Sequence, residues 1–79
     1  MVSKFVVYGK PDCGYCGKAK IALEMNSKVY EYIDITQDED AMDMFIEKGF
    51  RSVPQVFQEG GGVSVHIGGF EELYKFLNN

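Results

Sequence analysis

Apolar residues come in short bursts along this chain, and their spacing switches between strand-like and helix-like periods. Residues 4–8 (Lys-Phe-Val-Val-Tyr) are β-rich and nearly all apolar. A run of that length without alternation predicts a strand covered on both faces, hence a central parallel strand. Residues 9–12 carry Gly and Pro and break it. Over residues 14–25, Tyr15, Ala19, Ala22 and Leu23 recur at helical spacing, with Lys18, Lys20 and Glu24 mostly outside. Asn26 and Ser27 end that helix. Residues 29–35 are β-branched and aromatic and predict a second strand. Residues 36–40 are a polar, acidic helix start, continued by Ala41, Met44, Phe45 and Lys48 and stopped at Gly49. Val53, preceding Pro54, is excluded from helix. Residues 55–58 are a short strand, 59–62 a flexible turn and 63–67 the partner strand. Gly68 and Gly69 break the chain again before a last helix over 70–77, with Phe70, Leu73, Tyr74 and Leu77 on one side. The order is β-α-β-α-β-β-α, an α/β chain: a right-handed parallel unit followed by a hairpin on the same sheet. There is no internal repeat, linker or low-complexity tract.

At 79 residues, there is room for one core, so residues 1–79 are expected to form one domain. A hydrophobic fraction of 46% and an aromatic fraction of 14% argue against disorder. Eight basic against 12 acidic residues leave a net charge of −4, which disfavours a nucleic-acid binder working through a broad basic face. No apolar run approaches the ~20 residues a membrane span needs. The N-terminus lacks the basic start and long apolar centre of a signal peptide. The expected compartment is therefore a reducing cytoplasm. Two cysteines cannot build the dense disulfide scaffold of a small secreted domain.

Those cysteines lie in Cys13-Gly14-Tyr15-Cys16, where the first predicted strand hands over to the first helix. Cys13 is expected near the helix N-terminus and Cys16 one turn later on the same face. Unsatisfied amides and the positive end of the helix dipole favour a thiolate at Cys13. Cys16 is close enough to resolve a mixed disulfide formed on Cys13. The pair suits thiol–disulfide exchange. Three plainer readings compete. A structural disulfide closing so short a loop constrains little chain. A structural zinc site needs four ligands, and only His66 remains as a good extra one. Two unrelated buried cysteines are the third. CxxC between a strand and a helix in a βαβ pattern favours the redox reading.

Three blocks in order carry a family resemblance over nearly the whole chain: Lys10-Pro11-Asp12-Cys13-Gly14-Tyr15-Cys16, Ser52-Val53-Pro54-Gln55-Val56-Phe57, and His66-Ile67-Gly68-Gly69-Phe70-Glu71-Glu72-Leu73. With them the chain resembles a glutaredoxin, a small member of the thioredoxin-like fold. Its short length and the Gly-Phe of the third block are similar to phage-encoded members. The resemblance implies a four-stranded mixed sheet with helices on both faces. It implies Cys13 as nucleophile, Cys16 as resolving thiol, and glutathione as the reductant. Lys10 matches the lysine ahead of the motif and would stabilise the thiolate or meet a glutathione carboxylate; the alternative is a solvated lysine. Tyr15 matches the aromatic that flanks glutathione; the alternative is a tyrosine packing on its own helix. Val53 and Pro54 match a cis-proline turn that would hold a cysteinyl peptide as an added strand. Arg51 would meet the glycine carboxylate of glutathione, or be solvated. Gly69, Phe70 and Glu71 open the last helix, where free N–H groups would bind the γ-glutamyl carboxylate and Glu71 the ammonium. The alternative for Glu71 is an acidic residue complementing the helix dipole. His66 is assigned no catalytic role, and Met25, Met42 and Met44 are expected as core filler.

Gly14 departs from the family, which usually has Pro there. Proline restricts a helix start and glycine loosens it, so the redox potential is not carried over by the resemblance. Some members with a small residue at this place assemble a [2Fe-2S] cluster between two subunits, using the nucleophilic cysteine and glutathione. The leading expectation is a glutathione-dependent thiol–disulfide oxidoreductase, a monomer acting on disulfide-containing proteins such as ribonucleotide reductase or arsenate and peroxide reductases. One alternative is a [2Fe-2S] carrier or sensor, ligated through Cys13 and dimeric when loaded. Another is a redoxin reduced by thioredoxin reductase. The Lys10, Tyr15 and Gly-Gly-acidic set favours glutathione.

Overall fold

The computed structural model describes residues 3–78. Along it run β1 (Lys4–Gly9), α1 (Gly14–Met25), β2 (Tyr30–Asp34), α2 (Glu39–Glu47), β3 (Gln55–Gly60), β4 (Val63–Gly68) and α3 (Phe70–Leu77). The strands form one mixed sheet in the order β2-β1-β3-β4. β1 runs parallel to β2 and antiparallel to β3, and β4 returns antiparallel to β3. This is the expected thioredoxin-like arrangement, in the expected element order.

β1 explains its own sequence. Phe5 and Val7 point into a core with Ala19 and Leu23 of α1, Val56 of β3 and Leu73 of α3. Tyr8, from the same strand, packs on a second cluster of Ile35, Ala41 and Phe45, joined by Ile33, Phe50 and Val53. With both faces covered, a polar residue in mid-strand would lose its water on either side, so the run does not alternate.

Local chemistry sets the helix starts. Asp34 Oδ1 accepts the Thr36 N–H at 2.8 Å and the Thr36 hydroxyl at 2.6 Å, which holds a turn after β2. The second helix therefore begins only at Glu39, and Asp38 caps it by accepting the Ala41 N–H at 3.0 Å. The hairpin is tighter than the glycine run suggests. Glu59 and Gly60 pair with Ser64 and Val63, leaving Gly61 and Gly62 as the turn at φ +59° and +80°. A two-residue turn with both residues left-handed matches the twist of the flanking strands.

The structure corrects two packing expectations. On α1 the buried stripe is Cys16, Ala19 and Leu23, while Tyr15 is 57% exposed. Tyr15 and Cys16 are adjacent and both apolar, so spacing alone does not separate them. Met25 is 80% exposed and fills no core, because it closes the last turn of α1 beyond Leu23. Met42 does pack beside the second cluster. His66 stacks near Phe50 and Phe57, with Nε2 2.8 Å from Gln55 Oε1.

Leu73 is fully buried and anchors α3 to the sheet. Leu73→Ala is expected to lower the unfolding free energy by about 2–5 kcal/mol. Met25→Ala should stay within about 0.5 kcal/mol of the parent. Urea titration of the two variants checks this contrast.

Candidate active site

β1 delivers the chain to Gly9, and a short loop then carries it to α1. Asp12 in that loop holds φ +61°. Cys13 is the N-cap of α1, extended at φ −110° and ψ 108°, and its Sγ accepts the Cys16 N–H at 3.2 Å. The sulfur does the work that a Ser or Asp oxygen does at other helix starts. The Cys16 N–H and the positive end of the helix dipole both face this sulfur. As a thiol it faces the Val53 carbonyl at 3.8 Å.

Cys16 occupies a different environment. It is 1% exposed. Burial pushes its thiol up, and its hydrogen bond with Cys13 pushes it the same way. Both cysteines are free thiols in this structure. One sulfur is thus half-exposed at a helix end, while the other waits beneath it as a protonated thiol. Gly9 makes room for this. A Cβ there would stand 2.9 Å from Cys16 Sγ and 2.4 Å from Tyr32 Oη, so only a glycine lets the strand pass.

Beside Cys13 lies a cleft of about 270 Å³, lined by Tyr15, Ser52, Val53, Pro54, Gly69, Phe70, Glu71 and Glu72. The Val53–Pro54 bond is cis. Among the described residues no group accepts the Val53 N–H. The Tyr15 ring leans on Phe70 with centroids 5.9 Å apart. At the start of α3, Glu72 Oε1 accepts the Gly69 N–H at 2.9 Å. The Phe70 and Glu71 N–H groups are then among the first-turn donors with no acceptor in the described residues.

The cleft therefore gathers six of the residues expected from sequence: Tyr15, Val53, Pro54, Gly69, Phe70 and Glu71. Lys10 and Arg51 are exposed and stand outside its lining. Sequence reasoning missed Glu72 as a cap, although Gly-x-x-Glu at a helix start is the capping-box spacing.

The glutaredoxin family profile matches residues 5–63. The chain belongs to the glutaredoxin family. It is 33% identical over 72 residues to Glutaredoxin 1 of Rickettsia felis, an alignment covering 87% of this chain and 67% of that one. Among solved structures it is similar to a buckwheat glutaredoxin–glutathione complex, with TM-score 0.70, 30% identity, and 92% of this chain and 66% of that one covered. It is also similar to the glutaredoxin-like NrdH-redoxin of Escherichia coli, with TM-score 0.73, 27% identity and coverage of 95% and 91%. The chain thus spans about two thirds of the length of the Rickettsia and buckwheat proteins. This glutaredoxin is a thiol–disulfide oxidoreductase by family. Among its described residues no helix is long and apolar enough to cross a membrane.

Two outcomes follow from the site's geometry. The folded protein holds the Cys16 proton more tightly than the unfolded chain does. That contribution is complete below the ordinary thiol value of about 8.5 and is lost as pH rises through the higher folded value. The melting temperature of the reduced glutaredoxin should therefore fall as pH rises above about 8.5, and Cys16→Ala should flatten that decline. Melting curves under a thiol reductant check both. Gly14 is the first residue of α1, and a Cβ there meets nothing within 4 Å. Cys13 before it is already extended, as a residue preceding proline must be. Gly14→Pro should stabilise the protein by about 0.4–1 kcal/mol in urea titration, through loss of unfolded-chain freedom.

Proposed function

We propose that this glutaredoxin reduces protein disulfides and glutathione mixed disulfides with glutathione as its electron donor. The observation that carries the reading is the cleft beside Cys13, which offers a free Val53 N–H, a carbonyl on the same residue and two free helix N–H groups. An extended peptide carrying cysteine fits such a backbone edge. A carboxylate fits the helix start.

In this reading the Cys13 thiolate attacks the substrate disulfide. One sulfur leaves as a thiolate and takes up a proton, and the other remains joined to Cys13. For a protein substrate, Cys16 loses its proton and attacks Cys13, releasing the substrate's second thiol and forming the Cys13–Cys16 disulfide. Two glutathione molecules then return the pair to dithiol and leave as glutathione disulfide. For a glutathione mixed disulfide, Cys13 takes the glutathionyl group and a second glutathione removes it.

Tyr15 and Phe70 flank the ligand with their rings. Phe70 and Glu71 N–H groups take the γ-glutamyl carboxylate, and the Glu71 side chain takes the neighbouring ammonium. Val53 pairs with the cysteinyl backbone, held by Pro54, while Gly69 leaves room beside it. Lys10 and Arg51 swing in from solvent toward carboxylates. Disulfide-bearing enzymes such as ribonucleotide reductase are the partner class, in a reducing compartment such as the cytoplasm.

A second reading is favoured by one likeness. The E. coli NrdH-redoxin, a glutaredoxin-like protein described for its thioredoxin-like activity profile, matches this chain over most of both lengths. A donor test separates the two. A small glutathione mixed disulfide is offered with NADPH, through either glutathione and glutathione reductase or thioredoxin reductase alone. Turnover with glutathione only, abolished by Cys13→Ser, is expected. Turnover with thioredoxin reductase only would replace this reading with the redoxin one.

A further inference from the structure

The steps above leave one polar group beside the buried thiol without a role. Tyr32 stands on β2 opposite Val7 of β1, and its ring packs against the core on the α1 side of the sheet. Its hydroxyl and Cys16 Sγ converge over Gly9, lying 2.4 and 2.9 Å from the position a Gly9 Cβ would take. Tyr32 donates to the Lys10 carbonyl over 3.4 Å, a long bond for a hydroxyl donor and one that is easily given up. Lys20 Nζ sits 4.4 Å from the ring centroid, over the face of the ring. Burial, Cys16, Cys13 and Asp34 together push the phenol up to about 12. Tyr32 therefore keeps its proton at neutral pH and acts as a donor, never as a base.

Cys16 needs such a donor. At 1% exposure its sulfur has almost no access to water. An anion formed there is costly without a hydrogen bond. We propose that the Tyr32 hydroxyl turns from the Lys10 carbonyl to Cys16 Sγ as that sulfur becomes a thiolate and attacks Cys13, making Tyr32 a positioning residue for the ring-closing step. This rests on the reading in which Cys13 captures the disulfide and Cys16 resolves it. In the step itself Cys16 releases its proton to solvent. The Cys16–Cys13 bond forms, the bond from Cys13 to the captured sulfur breaks, and that sulfur leaves with the electron pair.

Ellman's reagent, an aromatic disulfide, tests this without glutathione. Reduced protein mixed with it releases one aryl thiolate when Cys13 is captured and a second when Cys16 closes the ring, both visible by stopped-flow absorbance. Once Cys13 is captured it carries no proton, so the pH profile of the second phase follows Cys16, with Asp34, Lys20 and the Lys10 carbonyl as its polar surroundings together with Tyr32. Tyr32→Phe keeps the ring and removes the donor. We expect the second phase to slow about tenfold at neutral pH and its midpoint to rise by about one pH unit, the effect of one hydrogen bond to a charged group. The first phase should be unchanged, including in a Cys16→Ser background. An unchanged second phase overturns the proposal, as does an equal slowing of both phases or a slowed closure at the parent's midpoint. A parent protein with no second phase would remove Cys16 as the resolving thiol and take down the two-thiol reading itself.

Discussion

The burial of β1 on both faces is the constraint on which everything else in this fold rests. Phe5 and Val7 tie α1 and α3 to one side, and Tyr8 joins the α2 cluster on the other. A strand held from both sides has a fixed end, and Gly9 is that end. The loop from Gly9 to Cys13 is short, so the position of Cys13 is set by a core several residues upstream. This places the cysteine pair at the carboxyl end of the parallel strands β1 and β2, beside the start of a helix.

The two sulfurs differ through environment alone. Cys13 caps a helix and stays half-exposed, with a backbone N–H pointed at it. Cys16, three residues on, lies on the buried face of α1 and is held as a thiol by its burial. Disulfide exchange needs that asymmetry. In the proposed reaction Cys13 makes the first attack, and Cys16 then releases the captured substrate. Helix geometry supplies the closeness, since residues three apart share a face. Burial supplies the difference between the two sulfurs.

The cleft is assembled from three stretches that are distant in the chain: the first turn of α1, the Val53–Pro54 loop and the start of α3. Each contributes what its local structure leaves over. The loop leaves a backbone edge, and the helix start leaves N–H donors. Glu72 satisfies the Gly69 N–H, so the free donors of the first turn begin at Phe70 and Glu71. The site is mostly unspent main-chain polarity flanked by the rings of Tyr15 and Phe70.

By itself the sequence determined what depends on near neighbours. The element order, the CxxC at a strand–helix junction, the Asp38 region as a helix start and the glycine hairpin are all set by residues a few positions apart, and all were legible. Tertiary structure decided what depends on distant elements. Whether Tyr15 or Cys16 faces the core turned on where α1 docks against β1 and α3, because the two are neighbours with the same apolar character. Whether Glu59 and Gly60 belonged to a turn or a strand was settled by their pairing with β4, and Glu59 also by its pairing with β1. Lys10 matched a motif and Arg51 suited a carboxylate partner, yet both stand outside the lining of the cleft. Tyr32 carried no motif at all. It reaches Cys16 only because β2 lies parallel to β1 and Gly9 leaves the space between them open.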